Sequence, residues 1–105
     1  MIARIWRGQA STTNAGTYRQ HVTEGVFPKL QNLFGHRGAY LLAQPIDGGV
    51  EFLAVTLWDS IEAVQQFAGK DPNKAVVEPE ARAVLSEFDD SVRHYEVVYR
   101  SNSCA

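Results

Sequence analysis

Apolar residues at every second position mark four short stretches of the chain. These stretches cover residues 2–8, 39–44, 50–58 and 91–99, and spacing of this period predicts β-strands. An Asp-Gly-Gly sequence at 47–49 joins the second stretch to the third, and these residues accept the positive φ of a hairpin turn. Four strands are therefore expected, with a tight hairpin between the middle two.

Helical spacing of apolar residues predicts three further segments. The first covers 15–33 and is interrupted by Gly25 and Pro28. We expect a kink or a change of helix type there, because proline cannot donate a backbone hydrogen bond. A second helix is expected over 61–68, and a short third helix over 79–88 has proline in its first turn.

The order of these elements predicts the fold class. Strand, helix, strand, strand, helix, short helix and strand form the split βαβ-βαβ pattern of a ferredoxin-like α+β sandwich with a four-stranded antiparallel sheet. The 105 residues are enough for one domain, which we place at 1–100. The polar residues 101–105 are expected to form a disordered C-terminal tail.

The sheet face that the helices leave uncovered is expected to be apolar. Phe52 and Trp58 alternate with Leu53 and Leu57 along the third strand, so both of its faces carry large apolar side chains. Burial of apolar surface is favourable by roughly 25 cal/mol per Å². We therefore expect a homodimer in which two sheets pack face to face across a two-fold axis.

Charge and composition exclude several classes of protein. Ten basic residues against 12 acidic residues leave a net charge of -2, whereas a nucleic-acid binder needs a basic face. No apolar run approaches the roughly 20 residues of a membrane span, and the first residues alternate too strongly for a signal peptide. The single cysteine, Cys104, excludes an internal disulfide. We therefore expect a cytoplasmic protein that binds neither nucleic acid nor membranes.

Several sequence motifs resemble the antibiotic biosynthesis monooxygenase-type branch of the dimeric α+β barrel proteins. They are IARIWRG at 2–8, VTLWDSIEA at 55–63, FAG at 67–69 and RHYEV at 93–97. The resemblance implies a dimeric α+β barrel with one pocket in each subunit, between the sheet and its helices. It also implies cofactor-free oxidation of a small aromatic or quinone-like metabolite, in which the substrate itself reduces dioxygen.

Two catalytic residues are expected, the first from the resemblance and the second from its own chemistry. Trp58, at the end of the third strand, matches the position of a functional tryptophan in oxygenase relatives; otherwise it is a core anchor. His94 could act as a general base or as a hydrogen-bond donor, because histidine titrates near neutral pH; otherwise it is a hydrogen-bonded structural residue. Haem-degrading relatives take their iron ligand from the helical region after the third strand. Residues 59–93 contain no histidine, so haem degradation by that mechanism is not expected.

Arg4 lies between two apolar residues of its strand face and needs a partner if it is covered. That partner is either Glu96 on the last strand or an anionic substrate group. The five expected substrate-binding residues are Arg4, Trp6, Tyr95, Phe67 and His21. The three histidines show no metal-ligand spacing, so no metal site is expected.

The leading interpretation is a small cofactor-independent monooxygenase or oxidoreductase. Two alternatives belong to other classes. One is a non-catalytic dimeric module that binds a small molecule or serves in a stress response. The other is a haem-binding protein with a non-standard ligand, either His94 or His21.

Overall fold

The computed structural model describes residues 1–101, so Cys104 and most of the expected tail lie outside the described residues. The helices and strands in chain order are β1 Ile2–Ser11, α1 Ala15–Gln20, a π-helical segment His21–Val26, α2 Phe27–Leu30, β2 His36–Ile46, β3 Gly49–Trp58, α3 Ile61–Ala68, α4 Pro79–Val84, β4 Glu87–Phe88 and β5 Arg93–Glu96. Among these residues, no helix combines the length and the hydropathy needed to cross a membrane.

The strands form one antiparallel sheet in the order β2-β3-β1-β4, and β5 also pairs with β1. The predicted ferredoxin-like α+β fold is therefore confirmed, but the sheet has five strands rather than four. Two short strands share the fourth position: β4 pairs with the end of β1 at Gly8 and Gln9, and β5 pairs with its beginning. β5 ends at Glu96, opposite Ile2, because β1 begins there.

The first helical region changes its helix type where a break was expected. α1 passes into the π-helical segment at His21, and α2 follows with Pro28 in its first turn. The short helix α4 ends at Val84 rather than continuing to Phe88. Leu85 has the extended backbone angles φ -88° and ψ 134°, and Phe88 belongs to β4.

The helices cover one face of the sheet and create two neighbouring apolar clusters. Trp6, Tyr18 and Phe52 are the aromatic members of the first cluster, with ring centroids of Tyr18 and Phe52 4.9 Å apart. Leu30 and Trp58 belong to the second, which packs against α3. The covered face of β3 is therefore the one that carries Phe52 and Trp58.

The opposite face of the sheet has no covering element within the described residues, and it is apolar as expected. Leu53, Val55 and Leu57 of β3 are only half-buried there. Tyr40 and Leu42 of β2 lie beside Val55 and Leu53, and they are 57% and 48% exposed.

Candidate functional site

A small cavity of about 60 Å³ lies between the covered face of the sheet and the helices. Its floor is a square of four residues: Arg4 and Trp6 of β1 stand directly opposite Thr56 and Ala54 of β3. The two residues of each strand share one face because side chains alternate along a strand. The walls come from the first helical region, from α3, from the coil before α4 and from α4 itself. They include Tyr18, His21, Val22, Val26, Phe27, Leu30, Phe67, Val76, Val77, Glu78 and Ala81.

Arg4 is the buried cation of this cavity and is only 5% exposed. Its Nη2 donates to the carbonyl oxygen of Lys74 at 3.0 Å, and its guanidinium lies 5.4 Å from the centre of the Phe67 ring. Its Nε is buried without a hydrogen-bond partner. Burial lowers the pKa of Arg4 to about 10, so the side chain still carries its charge at neutral pH.

No carboxylate of residues 1–101 lies within 4.0 Å of the Arg4 guanidinium. The ion pair with Glu96, one of the two partners considered for Arg4, is therefore not formed. The register of the strands explains this: Glu96 is opposite Ile2, whereas Arg4 is opposite His94.

His21 and Glu78 contribute an imidazole and a carboxylate to the cavity wall. The Nε2 atom of His21 is buried without a hydrogen-bond partner. The nearest cation to the Glu78 carboxylate is the ammonium of Lys29, at 4.0 Å. His21 belongs to the π-helical segment, and such segments are frequent at functional sites.

His21, Glu78 and Glu80 could also hold a divalent cation. One ring nitrogen and two carboxylate oxygens of this group lie within 4.8 Å of one another. Nitrogen and carboxylate ligands suit zinc and related ions. No sequence pattern indicates this group, because the two glutamates are far along the chain from the histidine.

Trp58 lies behind the residues that line the cavity. It is completely buried, and its indole Nε1 donates to the Thr56 hydroxyl oxygen at 2.8 Å. Its ring stacks on Phe67 at a centroid distance of 6.5 Å and an interplanar angle of 19°. Trp58 thus touches two residues of the cavity lining, Thr56 and Phe67, without being part of that lining.

His94 and Tyr95 also lie away from the cavity lining. The Nδ1 of His94 is 3.2 Å from the side-chain oxygen of Asn73, and its Nε2 is buried without a partner. Burial, followed by the nearby Arg4 charge, lowers the pKa of His94. Tyr95 is opposite Ala3 and half-exposed on the uncovered face, so the sheet separates it from the cavity.

The structure therefore gathers four of the seven predicted site residues around one cavity: Arg4, Trp6, Phe67 and His21. Thr56 and Glu78 were missed by the sequence analysis. Thr56 could have been found, because it shares a strand face with Trp58. Glu78 lies in irregular structure, where no periodic pattern in the sequence indicates which way a side chain points.

A larger open groove of about 640 Å³ borders the cavity. It lies between the first helical region and the β2-β3 hairpin, and Leu41, Val50 and Phe52 contribute apolar surface. Phe27 lines both the groove and the cavity. This side chain is therefore the shared wall between them.

Comparison with known proteins identifies the fold. No protein-family profile and no curated protein sequence matches the chain. Among solved structures, it is similar to a Deinococcus radiodurans protein proposed to be an antibiotic biosynthesis monooxygenase, with 14% identity, complete coverage of both chains and a TM-score of 0.68. The chain has the α+β fold of antibiotic biosynthesis monooxygenase-type structures, as its sequence motifs suggested.

Two further structures of this fold contain bound molecules. The haem-degrading protein MhuD of Mycobacterium tuberculosis holds two haems in its active site; it is 22% identical over 97% of this chain and 100% of that chain, with a TM-score of 0.62. A monooxygenase of Streptomyces coelicolor in complex with nanaomycin D is 14% identical over 99% of this chain and 91% of that chain, with a TM-score of 0.60.

Proposed function

We propose that the chain is a cofactor-independent monooxygenase of a small aromatic or quinone-like metabolite, which reacts in the cavity between sheet and helices. The observation that carries the proposal is the combination of aromatic walls, from Trp6, Phe67 and Tyr18, with the unpartnered ring nitrogen of His21. The similar structures with a monooxygenase name and a bound small molecule support it.

The proposed reaction needs little chemistry from the protein. A phenol or hydroquinone loses a proton, and the resulting anion gives two electrons to dioxygen to form a hydroperoxide at a ring carbon that carries hydrogen. Loss of water from this hydroperoxide removes that hydrogen and leaves a carbonyl group, so the substrate gives up four electrons in total. One oxygen atom enters the substrate and the other leaves as water. The cavity contributes an enclosed environment that excludes bulk water and a fixed orientation for the ring.

His21 is the proposed base. His21 lines a largely apolar cavity and its Nε2 is buried without a hydrogen-bond partner, and Glu78 in the same wall can balance the charge of the protonated ring. In this proposal Trp58 and His94 are positioning residues. Trp58 holds the Thr56 hydroxyl and the Phe67 ring, while His94 holds Asn73, next to the carbonyl that orients Arg4.

An aromatic substrate requires the cavity to open. A cavity of about 150 Å³ accommodates benzene, whereas the closed cavity holds about 60 Å³. Displacement of Phe27 would join the cavity to the adjoining groove of about 640 Å³. We propose that the substrate reaches His21 by this route.

The proposal includes a homodimer and a cytoplasmic location. The apolar side chains of the uncovered face, among them Tyr40, Leu42 and Val55, are the proposed contact between two copies. The cytoplasmic location is an inference from the single cysteine.

Haem binding remains a second candidate because the Nε2 of His21 is available as a ligand and MhuD shares the fold. The closed cavity is far too small for a porphyrin, so this candidate would need a much larger opening. A Soret band that appears on addition of haem and is lost in His21→Ala would favour it over the oxygenase.

Oxygen uptake tests the proposal. The purified protein is mixed with a panel of anthrones and hydroquinones in the presence of a chelator and without added flavin or haem. We expect turnover, and a decrease of about 10²-fold or more in His21→Gln, since a general base contributes on that scale. His36→Gln is the matched control, because His36 packs on Trp58 outside the cavity lining. Absence of turnover on every substrate, or full activity in His21→Gln, would contradict the proposal.

A further inference from the structure

We infer that Arg4 and Thr56 make this cavity a recognition site for a single anionic oxygen group, so that its ligand is an apolar ring bearing one carboxylate or phenolate. The inference rests on the proposed function in placing the ligand in the same cavity. It concerns binding alone and does not require the ligand to be oxidised.

The first argument is the uncompensated charge of Arg4. A guanidinium has five N–H donors, and among residues 1–101 Arg4 forms one hydrogen bond, to the carbonyl of Lys74. Its Nε is buried without a partner, and no described carboxylate is within 4.0 Å. A buried charge is strongly unfavourable unless a counter-charge accompanies it. An anionic ligand supplies that counter-charge and the missing acceptors together.

The second argument is that Arg4 is already held in place. The Lys74 carbonyl fixes one end of the guanidinium, and the Phe67 ring lies 5.4 Å from its central carbon. Both contacts restrict the conformations of the Arg4 side chain. Ligand binding therefore costs less side-chain entropy. A planar, oriented guanidinium suits the two oxygens of a carboxylate.

The third argument is the hydroxyl group of Thr56, a cavity-lining residue that stands directly opposite Arg4 on the neighbouring central strand. Its oxygen accepts the Trp58 indole hydrogen at 2.8 Å. Because the indole nitrogen can only donate, the hydroxyl hydrogen must point elsewhere. Within the described residues it has no acceptor and is available to an anion bound by Arg4.

Glu78 limits the number of charges on the ligand. This carboxylate belongs to the same cavity wall and lies nearest to Lys29, at 4.0 Å, rather than to Arg4. A second negative group on the ligand would be placed near Glu78 and repelled. One anionic group on an apolar body is therefore the chemistry that the cavity fits.

The inference is tested by calorimetric titration with 2-naphthoate and its neutral isostere 2-naphthamide, neither of which is a hydroquinone. We expect the wild-type protein to bind the carboxylate at least tenfold more tightly than the amide. Arg4→Gln should lose this preference, and Thr56→Val should weaken it several-fold. Arg37→Gln is the matched control, because Arg37 is a surface arginine paired with Asp59.

Equal affinity of the wild-type protein for the two probes would overturn the inference, and that comparison does not depend on whether Arg4→Gln folds. Undiminished carboxylate preference in a folded Arg4→Gln protein would also overturn it. Carboxylate preference without oxygen uptake on any substrate would leave the inference standing and defeat the proposed oxygenase activity. Oxygen uptake without carboxylate preference would support the proposed oxygenase activity and overturn the inference about Arg4 and Thr56.

Discussion

Arg4 and His94 stand directly opposite each other on antiparallel neighbours β1 and β5. Burial and the guanidinium charge both lower the pKa of His94, and burial also lowers that of His36. The folded protein therefore holds these histidines neutral at pH values where the unfolded chain already takes up protons. Since the unfolded state then binds more protons, stability increases with pH across this range.

We therefore expect the free energy of unfolding to decrease on acidification already at pH values above the range in which carboxylates titrate. The histidine contribution is fully present above the ordinary pKa of 6.5 and is lost as the pH falls towards the lowered values. The urea midpoint should therefore be lower at pH 5.5 than at pH 7.5, and His94→Gln should reduce this difference. Glu51 and Asp59 also have lowered pKa values, but their loss begins only near pH 4.5 and 3.8. A midpoint that is constant between pH 5.5 and 7.5 would contradict the prediction.

Replacement of Trp58 should destabilise the fold more than it alters the chemistry directly. Trp58→Phe leaves a small cavity and removes the donor to Thr56, and we expect a loss of about 2 kcal/mol in urea unfolding. Thr56→Val and the double variant complete a thermodynamic cycle. A coupling near 1 kcal/mol is expected, because removal of one partner leaves the other unpaired. Additive losses would show that the hydrogen bond does not contribute.

Local patterns predicted the elements of this fold better than the contacts between them. The alternation around Arg4 placed its strand and face correctly, and Gly25 with Pro28 indicated the irregular helix. The expected partner of Arg4 depended on the register between two distant strands. A register shift of two residues replaces Glu96 with His94 opposite Arg4, and no local pattern reports such a shift.

The site was predictable where it is built on regular structure. Arg4, Trp6 and Phe67 follow from strand and helix periodicity, and all three line the cavity. Glu78 and the carbonyl of Lys74 come from the coil before α4, whose path depends on tertiary contacts. Their part in the site is set by the packing of this coil against the sheet, which no sequence pattern indicates.

Gly35 is predicted to be intolerant of any side chain. Its φ is +81°, and a Cβ atom there would lie 2.7 Å from the Cβ of Ala63. Gly35→Ala should cost about 2 kcal/mol or more, from backbone strain together with the clash. Gly16→Ala in α1 is the control, because a Cβ there meets no heavy atom within 4 Å. That change should stabilise the protein by about 0.5–1 kcal/mol, since alanine favours helices. Equal unfolding midpoints for the two variants would contradict this account.

Metal ions should inhibit the proposed reaction rather than support it. Zinc bound by His21, Glu78 and Glu80 would take up a ring nitrogen of the histidine that is the proposed base. Oxygen uptake should survive a chelator, fall on addition of zinc, and recover when the chelator returns. Glu80→Gln should reduce the sensitivity to zinc. Loss of activity in chelator, with recovery on addition of a metal, would instead make the metal a requirement and refute cofactor independence.

A charge at the centre of the uncovered sheet face should separate the proposed dimer. Val55 lies between Ile5 and Tyr40 on adjacent strands, and all three side chains share this face. A stable interface buries about 800 Å² from each partner, and an aspartate at its centre would lose hydration without gaining a counter-charge. Val55→Asp should therefore sediment as a monomer at tens of micromolar, whereas the wild-type protein is expected to sediment as a dimer. Lys70→Asp, an exposed change after α3, should leave the dimer intact. A monomeric wild-type protein would mean that this face meets some other partner, because so much apolar surface is unfavourable in water.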